Sequence, residues 1–134
     1  MREVRDNRLD AENLAEEVAD LGKSELQATK GHLRQMLIHL IKVAFSPADQ
    51  PKAGWLAEVG LHHAQALDHF SSSMRDKIDP ARLWQQAMTY AGRALRDYGE
   101  PDLPGDLACP FTLDELLADD FDADAAVDRL KAVE

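Results

Sequence analysis

The chain contains 134 residues, of which 25 are acidic and 15 are Lys or Arg, giving a net charge of −10. A chain of this length buries enough surface to fold without disulfides or a structural metal. Its single cysteine, Cys109, excludes an intramolecular disulfide and fits a reducing compartment. No secretory signal is present at MREVRDNRLD, and no apolar run approaches the roughly 18 residues that span a bilayer. We therefore expect a cytoplasmic single domain over residues 1–134 that does not enter a membrane.

The net charge is concentrated in residues 100–128, which contain ten acidic residues and no Lys or Arg. Such a segment repels nucleic acid and favours cationic partners. One interpretation is that these acids only keep the protein soluble. The other is that a basic partner surface docks on four of them: Asp119, Asp120, Asp122 and Asp124.

The N-terminal third predicts helix, in one piece or two. Asp10 is a suitable N-cap for a helix that presents Leu14, Val18 and Leu21 on one face. This helix either ends at Gly22, with a second one starting at a capping box of Ser24 and Gln27, or runs on through Gly22. Either way, an apolar stripe continues to about Phe45.

Four further helices follow in the sequence. One carries Trp55 and ends near SSSMRDKID, and the next begins at the pair Asp79 and Pro80 and closes at Gly99. A capping box of Thr112 and Glu115 predicts a short helix over 113–118, and the last dozen residues predict a weak, fraying helix. The whole predicts an all-α fold: a helical bundle of four main helices plus a short C-terminal helix.

Several separated motifs resemble the bacterial DUF29 family over roughly residues 8–121. They are LDAENLAEEVADLGKSE at 9–25, HLIK at 39–42, Trp55, SMR at 73–75 with Arg75, the pair Tyr90 and Ala91, and CPFTLDELL at 109–117 with Cys109 and Pro110. The resemblance implies a small all-α protein whose biochemical function is not established.

The sequence also departs from the family pattern. Family members usually carry a further N-terminal helical segment with a tryptophan, whereas only eight residues precede Leu9 here. The family's usual arginine after Trp55 is replaced by His63, and its Ser-Pro-Ser-Leu-Arg pattern by Ser-Ser-Ser-Met-Arg. The shorter N-terminus predicts an uncovered apolar groove that a protein partner or a second copy of the chain occupies.

The histidines give an alternative hypothesis. His32 and His39 are seven residues apart, as are His62 and His69, and this spacing places each pair on one side of a helix. Carboxylates and imidazoles that converge inside a helical bundle can hold a metal ion. The predicted ligand set is His39, His62, His69 and Glu58, with Glu16 or Glu17 from the first helix.

A helical wheel favours a structural role for these histidines instead. It places His39, His62 and His69 at the flanks of their apolar stripes and only His63 within one. The ordinary role of Glu16 and Glu17 is to accept hydrogen bonds from a cation, with Arg75, Lys23 and Lys42 as candidates.

The remaining candidates favour binding over catalysis. Cys109 lies among acids that oppose formation of its thiolate, so it is expected to pack rather than react. Lys23, Lys30 and Arg34 share a helix face, but on so acidic a chain they indicate a solvated surface, and nucleic acid is not an expected partner. The sequence therefore predicts a non-enzymatic protein-binding or regulatory module; the alternative is a metal-binding protein or hydrolase.

Overall fold

The computed structural model describes residues 2–49, 51–105 and 107–132, with side chains from residue 13 onward. Five α-helices occur in these ranges: α1 (Arg2–Phe45), α2 (Lys52–His69), α3 (Pro80–Asp97), α4 (Leu113–Leu116) and α5 (Ala123–Ala132). A 3₁₀ turn at Ser72–Lys77 connects α2 to α3. The described residues contain no strand, which confirms the all-α prediction. None of their helices has the length and apolar character needed to cross a bilayer.

Helix α1 is one continuous helix of 44 residues. It begins before the predicted N-cap at Asp10 and does not break at Gly22, so the single-helix interpretation is the right one. A glycine inside a helix costs only about 0.5–1 kcal/mol. That is too little to end a helix flanked on both sides by good helix formers.

The core is built on the C-terminal half of α1, which packs against α2, α3 and α5. The predicted stripe is fully buried at five positions: Leu33, Met36, Leu37, Leu40 and Ile41. Helix α2 contributes Val59 and Ala66, and α3 contributes Trp84, Ala87 and Ala91. Residues 13–24 of α1 take no part in this core and carry exposed side chains.

Local capping fixes the ends of the shorter helices as predicted. Asp79 Oδ1 accepts a hydrogen bond from the Ala81 amide at 3.0 Å, with Pro80 in the first turn of α3. Gly99 follows α3 with φ of +75°, a conformation that glycine adopts without strain. The capping box of Thr112 and Glu115 opens α4.

Helix α5 is held more firmly than the fraying helix that its sequence predicts. It packs against α1 and α2. Leu130 is fully buried, and Ala126 and Val127 are each 5 % exposed. Asp122 caps the helix, its Oδ1 accepting hydrogen bonds from the amides of Asp124 and Ala125 at 3.0 and 3.3 Å.

Candidate functional site

The N-terminal half of α1 presents an exposed apolar face. Leu14, Val18 and Leu21 are 60, 61 and 62 % exposed, and their spacing of four and three places them on one side of the helix. Large apolar side chains exposed in a row on one helix face are typical of a contact surface. We call these three residues the α1 apolar face.

This face continues into a cleft of about 590 Å³ between α1 and the segment that follows α2. Val18 and Leu21 belong to both, and Leu26 and Met74 line the cleft deeper in. Met74 is only 6 % exposed. The face and the cleft together form one continuous, mainly apolar surface.

Acidic residues flank the apolar face. Glu16, Glu17 and Asp20 are exposed on this part of α1, with Lys23 as the cation among them. Two of the three cations expected to pair with Glu16 and Glu17, namely Arg75 and Lys42, have other neighbours. Arg75 bonds Asp114, and the Lys42 ammonium lies 4.8 Å from the centre of the Trp55 ring.

A row of four imidazoles lies along the contact between α1 and α2. The Nδ1 atoms of His32 and His62 are 3.0 Å apart. The His39 ring is centred 5.9 Å from that of His62, and the His69 ring stacks on His32 at 5.7 Å. We call His32, His39, His62 and His69 the histidine row.

Two carboxylates border the histidine row. The Glu25 carboxylate is 2.7 Å from His69 Nδ1, and Glu58 is 3.5 Å from His62 Nε2. The structure thus brings together four residues of the predicted metal set: His39, His62, His69 and Glu58. Glu16 and Glu17 lie at least eight residues nearer the N-terminus of α1 than Glu25, which is about 12 Å at 1.5 Å per residue. They lie outside the row.

His32 and Glu25 also belong to this arrangement, although neither is in the predicted ligand set. The signal that identifies them is a repeat of seven, which runs through Glu25, His32 and His39 on α1 and through His62 and His69 on α2. Two antiparallel helices with the same repeat place these positions opposite one another along the seam. Within the described ranges, no three His, Cys, Asp or Glu side chains are grouped as metal ligands.

The surroundings lower the pKa of two of these rings, which favours their neutral form. Burial is the main cause of the lowered pKa of His32, and the neighbouring His62 and His69 lower it further. Burial also lowers the pKa of His39, with smaller contributions from Lys42 and His62. A hydrogen bond from His39 Nδ1 to the Gln35 carbonyl at 3.0 Å opposes that shift.

Some carboxylates of the acidic segment 100–128 form ion pairs or cap a helix. Asp114 and Glu115 bond Arg75 and Arg129, and Asp122 caps α5. The other three residues of the predicted docking set, Asp119, Asp120 and Asp124, are exposed. Asp122 is exposed as well, but its carboxylate is engaged at the start of α5, so Asp119, Asp120 and Asp124 are the three whose charge is available to a partner.

Cys109 and its neighbours hold the loop that precedes α4. The Cys109 thiol donates to the Phe111 carbonyl at 3.3 Å, and burial raises its pKa, which disfavours the reactive thiolate. Pro110 is half-buried beside it, whereas Tyr90 on α3 is 52 % exposed. Another histidine, His63, donates from Nε2 to the Ala118 carbonyl at 2.8 Å and anchors the end of α4 to α2.

An all-α bundle with an exposed apolar face on its longest helix defines the class of protein: a small helical protein with a surface suited to contacts. The chain belongs to the DUF29 family, a domain of unknown function whose model matches residues 1–122. It is similar to the crystal structure of an α-helical protein of unknown function from Rhodospirillum rubrum, with 34% identity and a TM-score of 0.84. That similarity covers 90% of this chain and 77% of the other. No match was found among curated proteins.

Proposed function

We propose that this protein is a binding module without catalytic activity, and that the α1 apolar face receives an amphipathic helix of a partner protein. The observation that carries the proposal is the exposure of Leu14, Val18 and Leu21, each about 60 %. Fully burying a Leu or Val side chain stabilises by about 1.5–3 kcal/mol. Covering this face and the adjoining cleft therefore provides a substantial driving force for association.

Charge selects the partner helix. The acids beside the apolar face and the net charge of −10 favour a helix whose apolar stripe is flanked by Lys or Arg. The exposed residues Asp119, Asp120 and Asp124 add to the attraction at longer range. Such steering acts on the association rate and weakens as salt is added.

Two synthetic peptides test the proposal, both 20-residue helices with the same leucine stripe but flanked by lysines in one and by glutamates in the other. We expect the protein to bind the lysine peptide and not the glutamate peptide, measured by fluorescence anisotropy. Replacing Leu14 and Leu21 by Ser should weaken binding about tenfold or more. Leu61→Ser is the matched control, since Leu61 is 51 % exposed on α2, outside the face.

Equal binding of the two peptides, or equal loss in the Leu61→Ser control, would contradict the proposal. Light scattering after size exclusion separates self-association from partner binding. If the wild-type protein is a dimer and the variant with Leu14→Ser and Leu21→Ser is a monomer, the occupant of the α1 apolar face is a second copy of the chain. Replacing Asp119, Asp120 and Asp124 by Asn should reduce the salt dependence of binding to the lysine peptide.

The histidine row supports a second candidate function, binding of a transition-metal ion. His32 Nδ1 and His62 Nδ1 are 3.0 Å apart, a few tenths of an ångström less than the roughly 3.3 Å between two nitrogens that bind one tetrahedral ion at 2.0–2.1 Å, so a small side-chain adjustment would let both bind one ion. His69 and His39 lie next along the row. Metal content of the untagged protein, measured by inductively coupled plasma mass spectrometry after exposure to Zn²⁺, tests this. A bound ion should be lost in His62→Ala and kept in His63→Ala, and a metal-free wild-type protein would reject it.

A further inference from the structure

A second cleft, on a different side of α1 from the histidine row, is lined by cations. It has a volume of about 430 Å³ and lies between α1, the end of the 3₁₀ turn and the start of α3. Its lining includes four cations and one acid: Lys30, Arg34, Lys77, Arg82 and Asp79. We call it the basic cleft.

The cations of the basic cleft are not neutralised by the protein. In the part of the chain that the structure describes, no ion pair involves any of the four. The one acid in the lining, Asp79, is engaged as the N-cap of α3. Like charges held this close repel one another, and a bound anion relieves that repulsion.

Arg34 adds an independent observation. Its Nε atom is buried and has no hydrogen-bond partner among the residues that the structure describes. Buried polar atoms in folded proteins nearly always have a partner, and an unsatisfied one calls for an explanation. Arg34 also lines the cleft, and its guanidinium is a planar donor group that matches the oxygen atoms of phosphate and carboxylate. An oxyanion in the cleft would therefore lie beside a donor group that the described residues leave incompletely paired.

We propose that the basic cleft binds a small ligand carrying two linked phosphoryl groups. The volume falls within the range of small-molecule sites, and four cations spread over three segments can contact more than one phosphoryl group. Leu83 is the one large apolar residue in the lining, so the ligand is held by its charge. A long polyanion such as nucleic acid is disfavoured, because it would also meet the acids that give the molecule its charge of −10.

Isothermal titration calorimetry with inorganic pyrophosphate tests the proposal at constant ionic strength. We expect saturable binding of pyrophosphate and weaker binding of inorganic phosphate. Replacing both Lys77 and Arg82 by Gln should weaken pyrophosphate binding about tenfold or more. Both side chains are exposed, so the fold should tolerate the change, and circular dichroism checks this.

The matched control replaces Arg93 and Lys131 by Gln, which removes the same charge from exposed positions outside the cleft. Arg34→Lys keeps the charge but removes the planar guanidinium, and it should also weaken binding. ADP distinguishes two sources of the ligand: affinity equal to pyrophosphate indicates a phosphorylated metabolite, and weaker binding indicates inorganic polyphosphate. No saturable binding, equal loss in the control, or tighter binding of a single-stranded oligonucleotide would each overturn the proposal.

Discussion

Trp84 joins α3 to the long loop that follows it. The side chain is 2 % exposed, and its Nε1 donates to the Leu107 carbonyl at 2.8 Å. The ring also meets Phe111 edge-on, with centroids 6.5 Å apart. One buried indole thus ties the loop to the core through both packing and a hydrogen bond.

Trp84→Phe should lower the free energy of unfolding by about 2–4 kcal/mol. The substitution leaves the Leu107 carbonyl without its donor and creates a small cavity. Urea denaturation followed by circular dichroism measures the loss. Trp55→Phe is the control, because Trp55 is only half-buried and should lose less. Equal losses in the two variants would show that the hydrogen bond and the burial of Trp84 carry no special weight.

Residue by residue, orientation about a helix axis could be predicted, whereas pairing between helices could not. The helical wheel placed His39 on the flank of its stripe, and the structure has it half-buried there. The same wheel says nothing about register between α1 and α2, which decides that His32 meets His62. Arg75 illustrates the same limit, since its partner is Asp114 rather than a carboxylate of α1.

Gly60 and Gly99 differ in backbone conformation: only Gly99 has a positive φ. Gly60 lies inside α2, is exposed, and has no atom within 4 Å of the position that a Cβ would occupy. Gly99 ends α3 with φ of +75°, where an L side chain is strained. The same substitution should therefore have opposite effects at the two positions.

Gly60→Ala should raise the free energy of unfolding by about 0.5–1 kcal/mol, and Gly99→Ala should lower it by about 1–2 kcal/mol. Thermal unfolding followed by circular dichroism at 222 nm gives both values. Because each variant adds one methyl group to the chain, each serves as the control for the other. A shift of the same sign in both would contradict the assignment of Gly99 as the left-handed residue that ends α3.

Element boundaries were predictable where local chemistry sets them. The Asp79 cap, the capping box at Thr112 and the closing Gly99 all depend on residues within four positions of the helix end. The continuity of α1 through Gly22 was left open, because it depends on how much the flanking helix formers outweigh one glycine. The firm packing of α5 was missed for a related reason: Leu130 is buried by α1 and α2, far away in sequence.

At the scale of the whole molecule, the separation of charge is the main organising feature. The concentration of acids in residues 100–128 is visible in the sequence. The basic cleft is not, because its cations come from α1, the 3₁₀ turn and α3, and only folding brings them together. One small protein thus has both an acidic surface and a cleft lined by four cations. This arrangement is consistent with the two proposed ligands, which have opposite charges.

The response of the fold to pH combines two groups of residues. The folded-state pKa of His32 and that of His39 lie below the ordinary value of 6.5. The unfolded chain therefore takes up protons first as the pH falls, so stability that is present above about pH 6.5 is lost progressively below it. The pKa of Glu115 lies below its ordinary 4.5, chiefly because Arg129 donates a hydrogen bond to the carboxylate. Its contribution is lost only at lower pH, below about 4.5.

We expect the unfolding midpoint to fall in two stages on acidification, the first beginning below about pH 6.5 and the second below about pH 4.5. Glu25, Glu58 and Lys42 are the charged groups that face the histidine row. Replacing His32 and His39 by Gln should flatten the first stage and leave the second. Glu115→Gln should do the reverse.

Unfolding midpoints measured from pH 8 to 3.5 distinguish two effects of a substitution. Lost packing lowers the midpoint at every pH, whereas the loss of a titrating group changes only the slope of the midpoint against pH. A first stage of unchanged slope in the His32 and His39 variant would show that these rings do not couple the α1–α2 contact to protons.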